Sequence, residues 1–181
     1  MASDDRNSFQ TGSTGLIVTV AEAERIVGKW RSRFDMSAAA GVPAHITILF
    51  PFLDEQLIDG RVKEDLQALM ARHQAFRTEL RECRRFSSVL YAAPVPDVRF
   101  RSLTDEIAER WPQAPPYGGQ FDEVIPHLTI ADGQDREVFD LVEADVAPHL
   151  PIAIRVESVE LIVYTGDRWV EEHSFHLGSG D

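Results

Sequence analysis

Twice in this chain a histidine and a threonine stand two residues apart within a β-rich aliphatic run. The first run is Pro43-Ala44-His45-Ile46-Thr47-Ile48-Leu49-Phe50-Pro51-Phe52, and the second is Ile125-Pro126-His127-Leu128-Thr129-Ile130-Ala131. Side chains alternate faces on an extended strand, so His45 and Thr47 point one way while Ile46 and Ile48 point the other. His127 and Thr129 stand in the same relation to Leu128 and Ile130. The aliphatic face suits a core, which leaves an imidazole and a hydroxyl projecting together from the opposite face. With six histidines and eight threonines in 181 residues, chance places a His-x-Thr pair in about a quarter of such chains. Two pairs, each with a proline shortly before it, are better read as two faces of one site.

The surrounding sequence repeats its layout around these runs. Leu16–Val20 reads as a strand, and Ala23, Ile26, Val27, Trp30 and Phe34 are spaced for one face of a helix. Gly41 and Pro43 close that helix and lead into the first histidine strand. Asp54 is a plausible N-cap, and a further helix begins near Gly60 with Val62, Leu66, Leu69 and Met70 on one face. Phe76–Phe86 and Ser88–Ala93 suggest a hairpin or meander. Phe100, Leu103, Ile107 and Trp111 mark another helix, after which a loop rich in Pro and Gly, 115–121, approaches the second histidine strand. Asp135 can cap a helix whose buried stripe is expected to be Val138, Leu141, Val142 and Val146. Ile152–Tyr164 and Trp169–Leu177 complete the chain as strands.

The order is therefore strand, helix, histidine strand, helix, strand, and then the same again. In this reading Ser88–Ala93 answers Leu16–Val20, and the strand from Ile152 answers the one from Phe76. The expected fold is α+β, with two pseudo-symmetric lobes of largely antiparallel sheet, outer helices and a central cleft. Residues 1–14, polar and without periodicity, are expected to be a disordered tail, and residues 15–181 a single two-lobed domain.

Charge narrows the partner. A formal net charge of −12 gives a surface that repels polyphosphate and lacks the basic footprint of a binder of long nucleic acid. A small phosphorylated ligand in a locally neutral or positive cleft is compatible with it. Arg81, Arg84 and Arg85 form the one tight basic cluster, read as a solvated strand face or turn. No apolar run approaches membrane-spanning length, and the first residues lack the basic and apolar regions of a signal peptide. The single cysteine, Cys83, excludes an intrachain disulfide. A cytoplasmic protein without membrane partners is the expectation.

On the two motifs the chain resembles the two-histidine phosphoesterases, which include 2′-5′ RNA ligase-like proteins and cyclic nucleotide phosphodiesterases. His45-Ile46-Thr47-Ile48 and His127-Leu128-Thr129-Ile130 match the hallmark of that family, one His-x-Thr/Ser-x motif per lobe facing across a cleft. Phe50-Pro51-Phe52 and the Tyr-Gly-rich approach to the second motif are similar as well. The resemblance spans about residues 15 to 177 and is one of pattern outside the motifs. It implies a cyclic phosphodiesterase with His45 and His127 catalytic and Thr47 and Thr129 on the substrate. It implies no cofactor or metal, a monomer, and a cyclic nucleotide or RNA terminus as partner, with a 2′-phosphate as product.

Elementary chemistry agrees with that implication. Opening a cyclic phosphodiester needs an activated water on one side of phosphorus and a protonated leaving oxygen on the other. Imidazole titrates near pH 6.5, so one neutral and one protonated histidine make a working pair. The threonine hydroxyls can donate to the nonbridging oxygens and hold the phosphate. Which histidine is acid and which is base is not set by the sequence. Tyr117, in the approach loop, is a further candidate for contact with base or phosphate, whereas Phe50 and Phe52 read first as packing residues. His173 and His176 do not read as a zinc pair, because residues three apart on a strand face oppositely and Cys83 stands alone. Alternatives are RNA-end ligation at the same site, a noncatalytic sensor of a nucleotide or phosphorylated metabolite, and a metal-dependent hydrolase with the two histidines as ligands.

Overall fold

The structure is a computed structural model that describes residues 9–86, 88–121 and 123–179. Among the described residues eight strands and five helices follow one another in the order β1 (Thr14–Thr19), α1 (Ala21–Phe34), α2 (Met36–Ala39), β2 (His45–Leu49), α3 (Gly60–Arg72), β3 (Phe76–Phe86), β4 (Val89–Val95), α4 (Val98–Arg110), β5 (Leu128–Asp132), α5 (Arg136–Val146), β6 (Ile152–Val156), β7 (Ser158–Tyr164) and β8 (Trp169–His176). Short polar side chains start several of the helices, as the sequence suggests. Asp59 accepts from the Val62 backbone N–H at 2.9 Å and Asp135 from that of Val138 at 3.0 Å, each satisfying a donor of the first turn. Asp54 serves a single 3₁₀ turn, Glu55–Leu57, rather than the helix that follows it.

The strands form two four-stranded antiparallel sheets, ordered β2-β1-β7-β8 and β5-β4-β3-β6. The fold is thus α+β, and each histidine strand is the edge of its own sheet. The expected correspondence of the Phe76 and Ile152 strands fails, because β3 and β6 are neighbours in one sheet. By position β3 answers β7, next to β4 and β1 respectively, and β6 answers β8. The chain leaves the first sheet after α3, builds the second, and returns with β7 and β8 to finish the first.

The two halves also exchange helices. Helix α1 follows the first sheet's inner strand but packs along β5, and α4 follows β4 but packs along β2. Thr104 of α4 donates to the Ile48 carbonyl at 2.7 Å, and Trp30 of α1 donates its indole N–H to Asp145 of α5 at 2.8 Å. One hydrophobic core consequently runs under both sheets and includes Ile46, Ile48, Leu128 and Ile130, all essentially inaccessible. The α5 stripe differs from expectation by one position: Phe139, Val142 and Val146 are buried, while Leu141 is 60% exposed. The aromatic Phe139 takes the core position that periodicity alone gives to Leu141.

A register shift occurs at the same place in both halves. Leu16 and Ile17 of β1 face Leu49 and Thr47, skipping Ile48, and Leu90 and Tyr91 of β4 face Ala131 and Thr129, skipping Ile130. Each histidine strand therefore carries a bulge at the residue just after its threonine. The extra residue lets Ile48 and Leu49, and likewise Ile130 and Ala131, be buried as adjacent pairs. A bulge also bends and twists the strand, which re-aims the side chains before it.

Part of the expected tail is placed. Residues 1–8 lie outside the described residues, but Phe9 packs against Phe50, Tyr164 and Trp169 with ring centroids 6.5, 5.4 and 5.1 Å away. The Gly12 N–H donates to the Tyr164 carbonyl at 2.9 Å, and β1 itself begins at Thr14.

These assignments separate two substitutions that sequence periodicity treats alike. Ile130→Ala, in the shared core, is expected to cost about 2–5 kcal/mol. Leu141→Ala, on the exposed face of α5, is expected to stay within about 0.5 kcal/mol of wild type. Urea denaturation followed by circular dichroism measures both.

Candidate active site

The edge strands β2 and β5 lie beside one another, which brings the polar faces of the two motifs to one place. His45 and Thr47 are on β2, His127 immediately precedes β5, and Thr129 is on it. All four are half-buried, whereas the residues alternating with them, Ile46, Ile48, Leu128 and Ile130, are fully buried. The alternation inferred from sequence is what the strands adopt.

Each imidazole is oriented by a carbonyl two residues earlier. His45 Nδ1 lies 2.8 Å from the Pro43 carbonyl oxygen, and His127 Nδ1 lies 2.6 Å from that of Ile125. A carbonyl only accepts, so Nδ1 carries the proton in both rings and Nε2 is left free for chemistry. The same local hydrogen bond thus sets the tautomer in both halves.

Beyond that bond the two histidines have different surroundings. Arg31 of α1, 1% exposed, places Nη2 3.5 Å from His45 Nδ1. Asp35 holds the guanidinium through Nε and Nη2 at 3.0 and 2.9 Å, and Ser37 and the Val42 carbonyl accept from it at 3.2 and 3.3 Å. Asp35 also accepts from the Ser37 hydroxyl at 2.7 Å. His127 instead meets the Phe86 and Tyr91 rings edge-on, with centroids 5.1 and 5.4 Å away. Burial first, and the Arg31 charge second, push His45 down from the usual histidine range to about 4. Burial also lowers His127, opposed by its bond to the Ile125 carbonyl and by the charge of Asp35.

Tyr117 joins the first motif. Its phenol interacts with the Thr47 hydroxyl, which tends to lower its pKa, but burial outweighs this and raises it, so it stays neutral. The backbone at Tyr117 is in the left-handed region, φ 51°, and its N–H donates to the Phe50 carbonyl at 2.6 Å. A non-glycine residue in that region is strained by about 1–3 kcal/mol, and this hydrogen bond helps to hold it there. A cavity of about 110 Å³ lies beside these groups, lined by His45, Thr47, Ser37, Phe50, Tyr117 and Trp169 among others. Phe50 is therefore a wall of the cavity, while Phe52 is buried against Trp111, with ring centroids 5.4 Å apart. His127 and Thr129 are not among the residues lining that cavity.

Arg31, Asp35 and Ser37 escaped the sequence reading, although a signal was present. Arg31 falls four residues after Val27 on the buried face of α1 and four before Asp35, a spacing that pairs charges on a helix. Phe9 and Trp169 gave no local signal. The basic cluster is neutralised, with Arg81 on Glu79, Arg84 on Glu82, and Arg85 on Asp140 and Glu143. His173 and His176 are both solvent-exposed on β8. Among the described residues, no three His, Cys, Asp or Glu side chains form a group able to hold a metal ion.

Known proteins share the sequence family and the fold of this chain. The family model of the 2′-5′ RNA ligase superfamily matches residues 19–168. No curated protein matches the chain. Among solved structures, E. coli LigT complexed with 3′-AMP is similar over 93% of this chain and 99% of that one, with TM-score 0.57 and 16% identity. E. coli LigT complexed with NADP+ gives 94% and 100% coverage, TM-score 0.56 and 16% identity. TT0787 of Thermus thermophilus gives 93% and 100%, TM-score 0.55 and 18% identity.

The interaction of Thr47 with Tyr117 predicts an energetic coupling between β2 and the approach loop. A double-mutant cycle of Thr47→Val and Tyr117→Phe, read by chemical denaturation, is expected to give a coupling of about 0.5–1.5 kcal/mol.

Proposed function

Because the chain belongs to the 2′-5′ RNA ligase superfamily, with the phosphoesterase and RNA ligase-like activity that this superfamily carries, we propose that it opens a 2′,3′-cyclic phosphodiester. The substrate is a cyclic nucleotide or short RNA end, and His45 and His127 work as the acid–base pair. The observation that carries this reading is the matched presentation of two imidazoles. Each is half-buried, each is tied at Nδ1 to the carbonyl two residues earlier, and each, on or just before one of two neighbouring edge strands, has no hydrogen bond at Nε2 among the described residues.

In this scheme one neutral Nε2 takes a proton from the attacking water as its oxygen bonds to phosphorus. The other Nε2–H gives its proton to the departing 3′-oxygen as the P–O bond breaks, leaving a 2′-phosphate. Exchange with solvent then resets both rings. The Thr47 and Thr129 hydroxyls donate to the nonbridging oxygens, and Tyr117 steadies Thr47. No step calls for a metal ion or cofactor. The −12 charge of the chain favours a small substrate over long RNA. The ligands named for E. coli LigT, 3′-AMP and NADP+, are likewise small phosphorylated molecules. Ligation of RNA ends is the same chemistry reversed, and the superfamily's own description keeps it as the second reading.

The test is hydrolysis of a panel of 2′,3′-cyclic mononucleotides in EDTA. Wild type is expected to turn over, and His45→Ala and His127→Ala, each folded by circular dichroism, to lose about 10²–10⁴-fold. The double variant is expected to lose much less than the product of the two, as residues acting as a unit do. Retained activity in either single variant would sink the assignment.

The pH profile provides a second check. Proton acceptance needs one histidine neutral and proton donation needs the other charged, and both fold with lowered pKa values. The kcat/KM of the free enzyme is therefore expected to peak on the acidic side. It should rise through about 4, where His45 loses its proton, and fall, at a pH below the ordinary histidine range, as His127, itself lowered, loses its own.

A further inference from the structure

The two motifs are alike in backbone but not in charge, and the difference lies beneath His45. Arg31 is 1% exposed, and its guanidinium is fixed by Asp35, Ser37 and the Val42 carbonyl with Nη2 3.5 Å from His45 Nδ1. A guanidinium keeps its proton at any working pH and has no acceptor to offer. Nδ1 already spends its hydrogen on the Pro43 carbonyl. His45 can therefore become charged only by protonation at Nε2, which would set an imidazolium against the buried cation. His127 meets two aromatic edges and a carbonyl instead.

We propose that Arg31 is a positioning residue that breaks the symmetry of the pair, holding His45 neutral as the proton acceptor and leaving His127 as the donor. This assignment rests on the acid–base reading above and adds a direction to it. The other groups facing His45 do not cancel the effect. Asp35 acts on both histidines and is bonded to Arg31 and Ser37. Glu24, whose Oε2 is 3.9 Å from Arg31 Nη1, also accepts from the Ala44 backbone N–H at 2.6 Å. Tyr117 is neutral, and His127, when charged, disfavours a proton on His45 further. In a cyclic phosphodiester held between the rings, the attacking water then lies on the β2 side and the leaving oxygen on the β5 side.

Two experiments on the full chain test this. In wild type labelled with ¹³C-histidine, with resonances assigned by His45→Gln and His127→Gln, His45 is expected to titrate below His127. The reverse order, or equal midpoints, overturns the proposal. In the cyclic mononucleotide assay, Arg31→Met removes the cation and is expected to move the acidic limb of kcat/KM up by roughly one pH unit or more. With the limb moved from about 4 to about 5 its activity should then fall about twofold more at pH 5 than at pH 6.5, and more steeply below pH 5, while Arg31→Lys keeps the limb near that of wild type. A folded Arg31→Met variant that loses activity equally at every pH would show a purely structural role and overturn the assignment. If Arg31→Met does not fold, the wild-type titration order decides. Absence of turnover by wild type would count against the cyclic phosphodiesterase reading, and the titration order would still decide what Arg31 does to His45.

Discussion

Everything at the site depends on a constraint that β-structure imposes on β2 and β5. An edge strand has one face to bury and one to leave wet, and alternation at a period of two assigns every side chain to one or the other. Ile46, Ile48, Leu128 and Ile130 are anchored in a core shared by both sheets, so the histidine and threonine of each motif have no choice of face. A slip of one residue in either strand would bury an imidazole and a hydroxyl and expose two isoleucines or their equivalents. The bulges at Ile48 and Ile130 sit where that register is set. They come directly after the motif threonines, so the extra residue is absorbed on the core side.

The exchange of helices explains why two edges can meet at all. Open sheet edges invite unwanted pairing, and here each histidine strand is flanked by its own sheet on one side and by the opposite half on the other. Because α1 packs along β5 and α4 along β2, the halves cannot separate without uncovering both aliphatic faces. The relative placement of the two histidines is thus fixed by core packing, and the Thr104 bond to the Ile48 carbonyl ties one crossing directly to β2.

What the sequence made legible was local, and what it hid was long-range. The shared face of His45 with Thr47, and of His127 with Thr129, was readable because alternation is a neighbour-to-neighbour property. The helix start at Arg136 was readable because Asp135 caps the first turn through its own side chain, whereas Asp54, expected to cap the helix near Gly60, serves a separate 3₁₀ turn and Asp59 is the cap. The partnership of β3 with β6 was not readable, because it joins residues about eighty positions apart and no turn sequence specifies it. The α5 stripe was misphased because Phe139 and Leu141 are both apolar, and only the packing tells which faces the core. Arg31 was passed over for a related reason. A charged residue on an otherwise apolar helix face reads as a boundary of the stripe until its partners appear, and Ser37, Val42 and His45 lie in later segments.

The chemistry of the cavity follows from the same economy of charge. Its described lining contains no lysine, arginine, aspartate or glutamate, and Arg31, behind His45, is ion-paired with Asp35. A phosphate entering such a site meets hydroxyl and imidazole N–H groups rather than lysine or arginine, within a protein of net charge −12. For the proposed reaction this sets an order of preference between substrate and product. A cyclic diester carries a single negative charge, whereas the monoester formed from it carries about −1.5 to −2 near neutrality. The acidic field repels the second more than the first, and there is no fixed surface cation in the described cavity wall to compensate. Ring opening in this setting both consumes the better-tolerated anion and drives out the one it makes, so turnover is aided by the charge that at first sight argues against a phosphate ligand.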